Sequence, residues 1–193
     1  MIRSIALAAL ALGLAACQVQ EVESDRPETA REFPRAYRPV SELAGSAFST
    51  EEQRDDRNEA NTVMDLAQIR PGMTVADIGA GEGYYTVRLA ERVGERGRVL
   101  AQDIDREVLS RLGDRVVRER LDNVSIKLGA EDDPRLPEHS FDRIFMVHMY
   151  HEVTEPYAFL WRLRPALREG AQVIVVDVDR PAGTTACPTP RTR

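Results

Sequence analysis

The chain has 193 residues and a mass of 21.6 kDa, the length of one domain with room for a tail. Hydrophobic residues make up 42% and charged residues 30%, which allows a packed core and excludes wholesale disorder. Lys and Arg total 26 against 32 Asp and Glu, a net charge of −6 that argues against nucleic acid as a partner, and two cysteines exclude a disulfide-rich scaffold.

Residues 1–17 read MIRSIALAALALGLAAC, with Arg3 ahead of an Ala/Leu-rich run. The run is about 12 residues, too short to span a bilayer as a helix of about 20. This is the layout of a secretory signal peptide over 1–16, excluded from fold reasoning. Leu14-Ala15-Ala16-Cys17 is similar to the bacterial lipobox. That resemblance implies a lipidated Cys17, a domain held to a membrane through the lipid, and a site facing the periplasm. Gln18, where an Asp favours inner-membrane retention, points to the outer membrane; the alternative, an uncleaved leader, leaves the protein cytoplasmic. Cys187 is then without an intramolecular partner, so no structural disulfide is expected. Residues 17–49 are polar, carry Pro27, Pro34 and Pro39, and show no period. They are expected to be a tether, with a coil reach of roughly 30 Å.

Regular structure begins at Thr50, which with Gln53 forms a capping-box pattern and opens a helix to about Ile69. Pro71-Gly72 stops it. A short buried strand over 73–78 leads into a glycine cluster, and Tyr84 to Val93 has helical spacing with Gly94 beyond it. A strand at 98–102, a helix at 105–121, a strand at 124–128, a strand at 141–149, a helix at 155–168 and a strand at 171–178 follow. Strands alternating with helices give an α/β fold with a doubly wound, mostly parallel sheet of about five strands, spanning residues 50–179.

Ligands of such sheets bind at the carboxyl ends of the strands. There the chain reads Asp77-Ile-Gly79-Ala-Gly81-Glu-Gly83. Glycines permit the sharp turn and let a ligand approach the backbone. The spacing departs from the nicotinamide fingerprint G-x-G-x-x-G, whose third glycine would stand at Tyr84, and this disfavours an oxidoreductase. No phosphate-loop Lys is present. Asp77 at the strand end suits an ammonium group and would repel a pyrophosphate. Asp103, at the end of the next strand, can accept hydrogen bonds from both ribose hydroxyls, or it can cap the following helix, as Asp105 equally can. Ammonium and ribose without phosphate describe S-adenosylmethionine.

At these residues the chain resembles the class I S-adenosylmethionine-dependent methyltransferases. VADIGAGEGYYTVRLA (75–90) looks like the first motif of that family, RVLAQDID (98–105) like the second, and the stretch 127–153 like the adenine loop and fourth strand. The resemblance implies that Asp77 holds the methionine ammonium, Gly79, Gly81 and Gly83 cradle the methionine part, Asp103 takes the ribose and Ile104 the adenine face. Ala130 and either Glu131 or Asp132 would meet the adenine.

His148 and His151 end the fourth strand, facing the place of a methyl acceptor, and are candidates for substrate contact or a general base. A zinc-protease motif fails because His151-Glu152 is followed by Glu155, so no metal is expected. The stretch after Asp179 carries no strand pattern, whereas the family continues into further strands. The expectation is a tail over 180–193 and a sheet edge at strand five, open to covering by a homodimer. The function expected is methyl transfer to a small molecule or an envelope component. The alternative is a non-catalytic scaffold lipoprotein on the same fold.

Overall fold

The alternation of apolar side chains along each strand decides how the sheet is covered. The computed structural model describes residues 25–41 and 50–177, so Cys17, Cys187 and the 180–193 stretch lie outside the described residues. Five strands, β1 (Thr74–Ile78), β2 (Arg98–Asp103), β3 (Val124–Leu128), β4 (Phe141–Val147) and β5 (Leu167–Val176), lie in the order β3-β2-β1-β4-β5. Every neighbouring pair is parallel. The chain steps outward from β1 to β3 and then returns to the other side of β1, so its direction reverses between β1 and β4. A crevice opens at such a switch point.

Val75 in β1 and Phe145 in β4 face a cluster completed by α2 (Glu59–Leu66) and α3 (Tyr84–Val93). On the same face Ala101 packs with Leu109 and Leu112 of α4 (Arg106–Arg118). Ala76, Ile78, Ile144 and Met146 point the other way, toward Phe159 and Leu163 of α5 (Pro156–Leu163). Both faces are covered over β1 and β4, as a parallel sheet requires, while β5 at the edge is only half-buried, with Val175 49% exposed.

The expected helix over 50–69 is two helices, α1 (Glu51–Asp56) and α2. The Thr50 capping box is present, but Asn58 takes a left-handed conformation with φ 53°, which breaks the run. The helix expected over 155–168 stops at Leu163, and a 3-10 turn at Arg164–Ala166 follows. Pro165 lacks the N–H an α-helix needs there. Strand β5 consequently starts at Leu167, four residues before the expected Ala171.

Residues 25–41, expected to be part of a free tether, instead lie against the α5 side of the domain. Arg26 is 5% exposed and pairs through Nε and Nη2 with both carboxylate oxygens of Glu155 at 2.7 Å. Ala30 is fully buried. Thr29 donates to Asp132, Arg38 donates to the carbonyls of Tyr150 and Val153, and the Ser41 amide donates to His151 O. Arg26, Thr29, Arg38 and Ser41 of the strap meet partners more than a hundred residues away, contacts that leave no local period.

Candidate active site

The carboxyl ends of β1 and β2 set two carboxylates on either side of the glycine turn. Asp77 is 3% exposed and accepts a 2.6 Å hydrogen bond from Thr86 Oγ1, in the first turn of α3. It pairs with no guanidinium or ammonium among the described residues. Burial pushes its pKa up to about 6, only partly offset by the Thr86 hydroxyl and the charge of Arg54. A buried acid of this kind fits an incoming cation.

Asp103 is held by three backbone amides. Its Oδ1 accepts from Ile104 at 2.7 Å and Asp105 at 3.0 Å, and its Oδ2 accepts from Gly81 at 3.0 Å. A carboxylate has about four acceptor sites, so about one remains, on Oδ2. The expectation that it takes both ribose hydroxyls is thereby narrowed to one while the Gly81 bond persists. Helix α4 is capped by Asp105, whose side chain accepts from Glu107 and Val108, so Asp103 is not needed as a cap.

The three glycines do different work. Gly79, at φ +66°, lies so close to Met149 that a Cβ would stand 2.9 Å from it. Gly83, at φ +91°, admits Leu112 of α4, whose Cδ1 would be 2.5 Å from a Cβ. Gly81, at φ +56°, meets nothing within 4 Å and borders open space. Ligand room is therefore at Gly81, and the other two fix the turn against its neighbours.

Tyr84, where a dinucleotide motif would carry glycine, anchors α1. Its ring is sandwiched by the guanidinium groups of Arg54 at 3.8 Å and Arg88 at 3.9 Å, and its hydroxyl donates to Asp55. Arg54 also makes a bidentate pair with Glu59, which accepts from Tyr85 and lies 3.4 Å from His148 Nε2. Helices α1 and α2 thus form one wall beside Asp77 and the end of β4.

His148, 42% exposed in its side chain and at φ 54°, continues the β4 ladder by donating its amide to Val176. His151 is bound differently. Its Nδ1 is 2.6 Å from Asp177 Oδ1 and its amide donates to Asp177 Oδ2 at 2.9 Å. An ionised Asp177 can only accept, so its bond orients the ring with Nδ1–H toward Asp177 and leaves Nε2 on the other side, 3.8 Å from Glu152 Oε1.

The residues expected to meet adenine lie past the carboxyl ends of β2 and β3, with different duties. Ile104 and Ala130 are half-buried, but the Ala130 amide donates to Asp133 O in a small bridge. Asp132 is buried and bound by Arg162 and Thr29, so Glu131, which is exposed, is the one of the two acids left accessible. Thr86, Asp177 and Gly129 escape sequence reasoning. Only the close fit of Gly129 over Gln102, with a Cβ 1.8 Å from Nε2, explains the last, and no local pattern signals any of the three.

Residues 75–170 match the methyltransferase domain family. Over this segment the chain is similar to S-adenosylmethionine-dependent methyltransferases. It is 31% identical over 121 residues to the ubiquinone/menaquinone biosynthesis C-methyltransferase UbiE of Shewanella frigidimarina, covering 61% of this chain and 47% of that one. Against the same enzyme of Methylococcus capsulatus it is 35% identical over 116 residues, 59% of this chain and 46% of that one. The chain spans about half the length of these curated relatives. Among solved structures, an S-adenosylmethionine-dependent methyltransferase from Aquifex aeolicus superposes with a TM-score of 0.60 at 28% identity, over 70% of this chain and 78% of that one. Coclaurine N-methyltransferase, solved with S-adenosylhomocysteine, shares the fold at 18% identity, with a TM-score of 0.58 over 83% of this chain and 50% of that one. The five-stranded parallel sheet of the methyltransferase domain agrees with the fold read from the sequence.

Proposed function

We propose that the chain is an S-adenosylmethionine-dependent methyltransferase tethered to the bacterial envelope through Cys17. The observation that supports the methyltransferase part of this reading is a buried Asp77 and an amide-held Asp103 at the carboxyl ends of adjacent strands, the latter bonded to Gly81, where a Cβ would meet nothing within 4 Å. S-adenosylmethionine supplies a methyl group on a positively charged sulfur, so transfer is a displacement in which positioning does most of the work. Asp77 holds the methionine ammonium, Asp103 one ribose hydroxyl, and Gly81 leaves the backbone open beneath the ligand, with Gly79 and Gly83 fixing the turn.

An acceptor that enters as X–H must give up a proton as the X–C bond forms and the C–S bond pair leaves with sulfur. His151 Nε2, oriented by Asp177, is the group suited to take it. The acceptor class is a small molecule or an envelope component with such a proton to lose. The C-methyltransferase relatives support that class.

Isothermal calorimetry with S-adenosylmethionine, S-adenosylhomocysteine and NAD tests the reading. Binding of the first two and not NAD is the expected result, and tight NAD binding would overturn it. Binding without turnover on any acceptor would return the scaffold reading. The leader, lipobox and Gln18 support an outer-membrane anchor facing the periplasm; intact Met1 on a soluble cytoplasmic protein would refute that part.

A further inference from the structure

The solvent face of α5 is aromatic where the rest of the helix is buried. Tyr157 is 53% exposed, Trp161 60% and Leu160 36%, at positions that share one side of the helix. Ala158, Phe159 and Leu163 occupy the opposite, buried side. Phe33 of the strap extends the patch, its ring 6.3 Å from that of Trp161. Arg164, just past the helix, lies 6.0 Å from the Trp161 ring, and Arg31 on the strap is exposed.

We infer that this face, Phe33 with Tyr157, Leu160 and Trp161, docks on the lipid surface to which the protein is anchored. The inference rests on the Cys17 anchor proposed above. Tyr and Trp place an apolar ring in the headgroup region and keep a polar edge wet, and arginines meet anionic headgroups. What commits the face to lipid is the chain's own length. The strap is latched at Arg26 onto Glu155, the residue immediately before α5. Asp25 is eight residues beyond Cys17. Whatever its conformation, that stretch spans at most roughly 29 Å. A domain of about 150 residues has a radius of gyration of about 15 Å. The anchor therefore enters the bilayer within about one domain width of the start of α5, and the side of the domain bearing Trp161 is the side drawn to it.

Trp161 is the sole tryptophan of the chain, so its emission reports this face alone. The experiment uses the full chain produced with its own leader, mixed with vesicles of phosphatidylethanolamine and phosphatidylglycerol, with and without brominated acyl chains. The expected result is a blue shift of emission and quenching by the brominated lipid, with both at least halved in the Tyr157→Ser, Leu160→Ser double variant. Far-ultraviolet dichroism identical to wild type shows that this variant is folded. Co-flotation with vesicles without any change in Trp161 emission would overturn the docking and leave the anchor standing. Quenching of a chain whose Cys17 bears no lipid would uphold the docking and overturn the anchor. Neither flotation nor quenching would overturn both.

Discussion

Asp77 is asked to be buried before its partner arrives, and the cost of that is legible in its acidity. Its folded pKa of about 6 exceeds the ordinary 3.8, so the empty protein binds more protons than the unfolded chain between those values. Stability of the empty domain therefore falls as pH rises from about 4 to 6, by roughly 3 kcal/mol, and is then flat with respect to this group. Asp77→Asn removes the charge but keeps an acceptor for Thr86. It should raise the melting temperature at pH 7.5 and weaken S-adenosylmethionine binding at least tenfold, a trade that thermal scans and calorimetry together would reveal; weakened binding with a lowered melting temperature would contradict it. A second residue acts through another. Asp177→Asn no longer compels the Nδ1 proton of His151, so turnover on an acceptor that loses a proton should drop by a factor on the order of 10–10². Affinity for S-adenosylhomocysteine should not move, and a parallel loss of it would mean Asp177 serves only the fold.

At the scale of elements, the glycine turn separates stability from binding. Gly83→Ala drives a Cβ to 2.5 Å from Leu112, itself fully buried, at φ +91°. Overpacking and left-handed strain together should cost roughly 2–4 kcal/mol, read as an earlier urea midpoint. Gly81→Ala carries only the backbone strain, roughly 1–2 kcal/mol, yet places a methyl group in the open space and should impair ligand binding more than stability. If the two variants behaved alike, the division of labour would be wrong. The sequence carried the sheet because period and punctuation are local. Strand β3 and helix α3 end where apolar spacing, Gly94 and the flanking polar residues say they should. It failed where one residue's backbone overrode the pattern, at Asn58 and Pro165. It carried the two acids because strand ends are readable, but not the three amides that fill Asp103 or the Arg162 that removes Asp132 from the adenine side. The Gly81 and Arg162 bonds join residues 22 and 30 positions apart, beyond any local window, and the Ile104 and Asp105 amides depend on the backbone turn after β2 rather than on residue type.

For the whole molecule the strap is the feature least foreseen. Arg26→Ala leaves Glu155 buried and alone, a change that costs about 3–5 kcal/mol if the strap stays in place. The strap has a way out, so it should lift instead, and trypsin should cut at Arg31 or Arg35 while the domain stays intact. The paired replacement Arg26→Met with Glu155→Leu should restore protection, since an apolar pair of similar volume substitutes for a buried ion pair at little cost. Continued protection in Arg26→Ala would show that the remaining contacts, at Thr29, Arg38 and Ser41, hold the strap without Arg26.

The same latch imposes a schedule. Arg26 meets a partner 129 residues further along, and Arg162, which donates to Thr29 O, comes later still. At a synthesis rate of about 5–20 residues per second, the strap waits roughly 6–26 s before its docking surface has been made. Over that interval the strap lacks the surface it meets in the folded domain. The Arg26–Glu155 pair can therefore close only after β1 to β4, all of which precede Glu155, have been made.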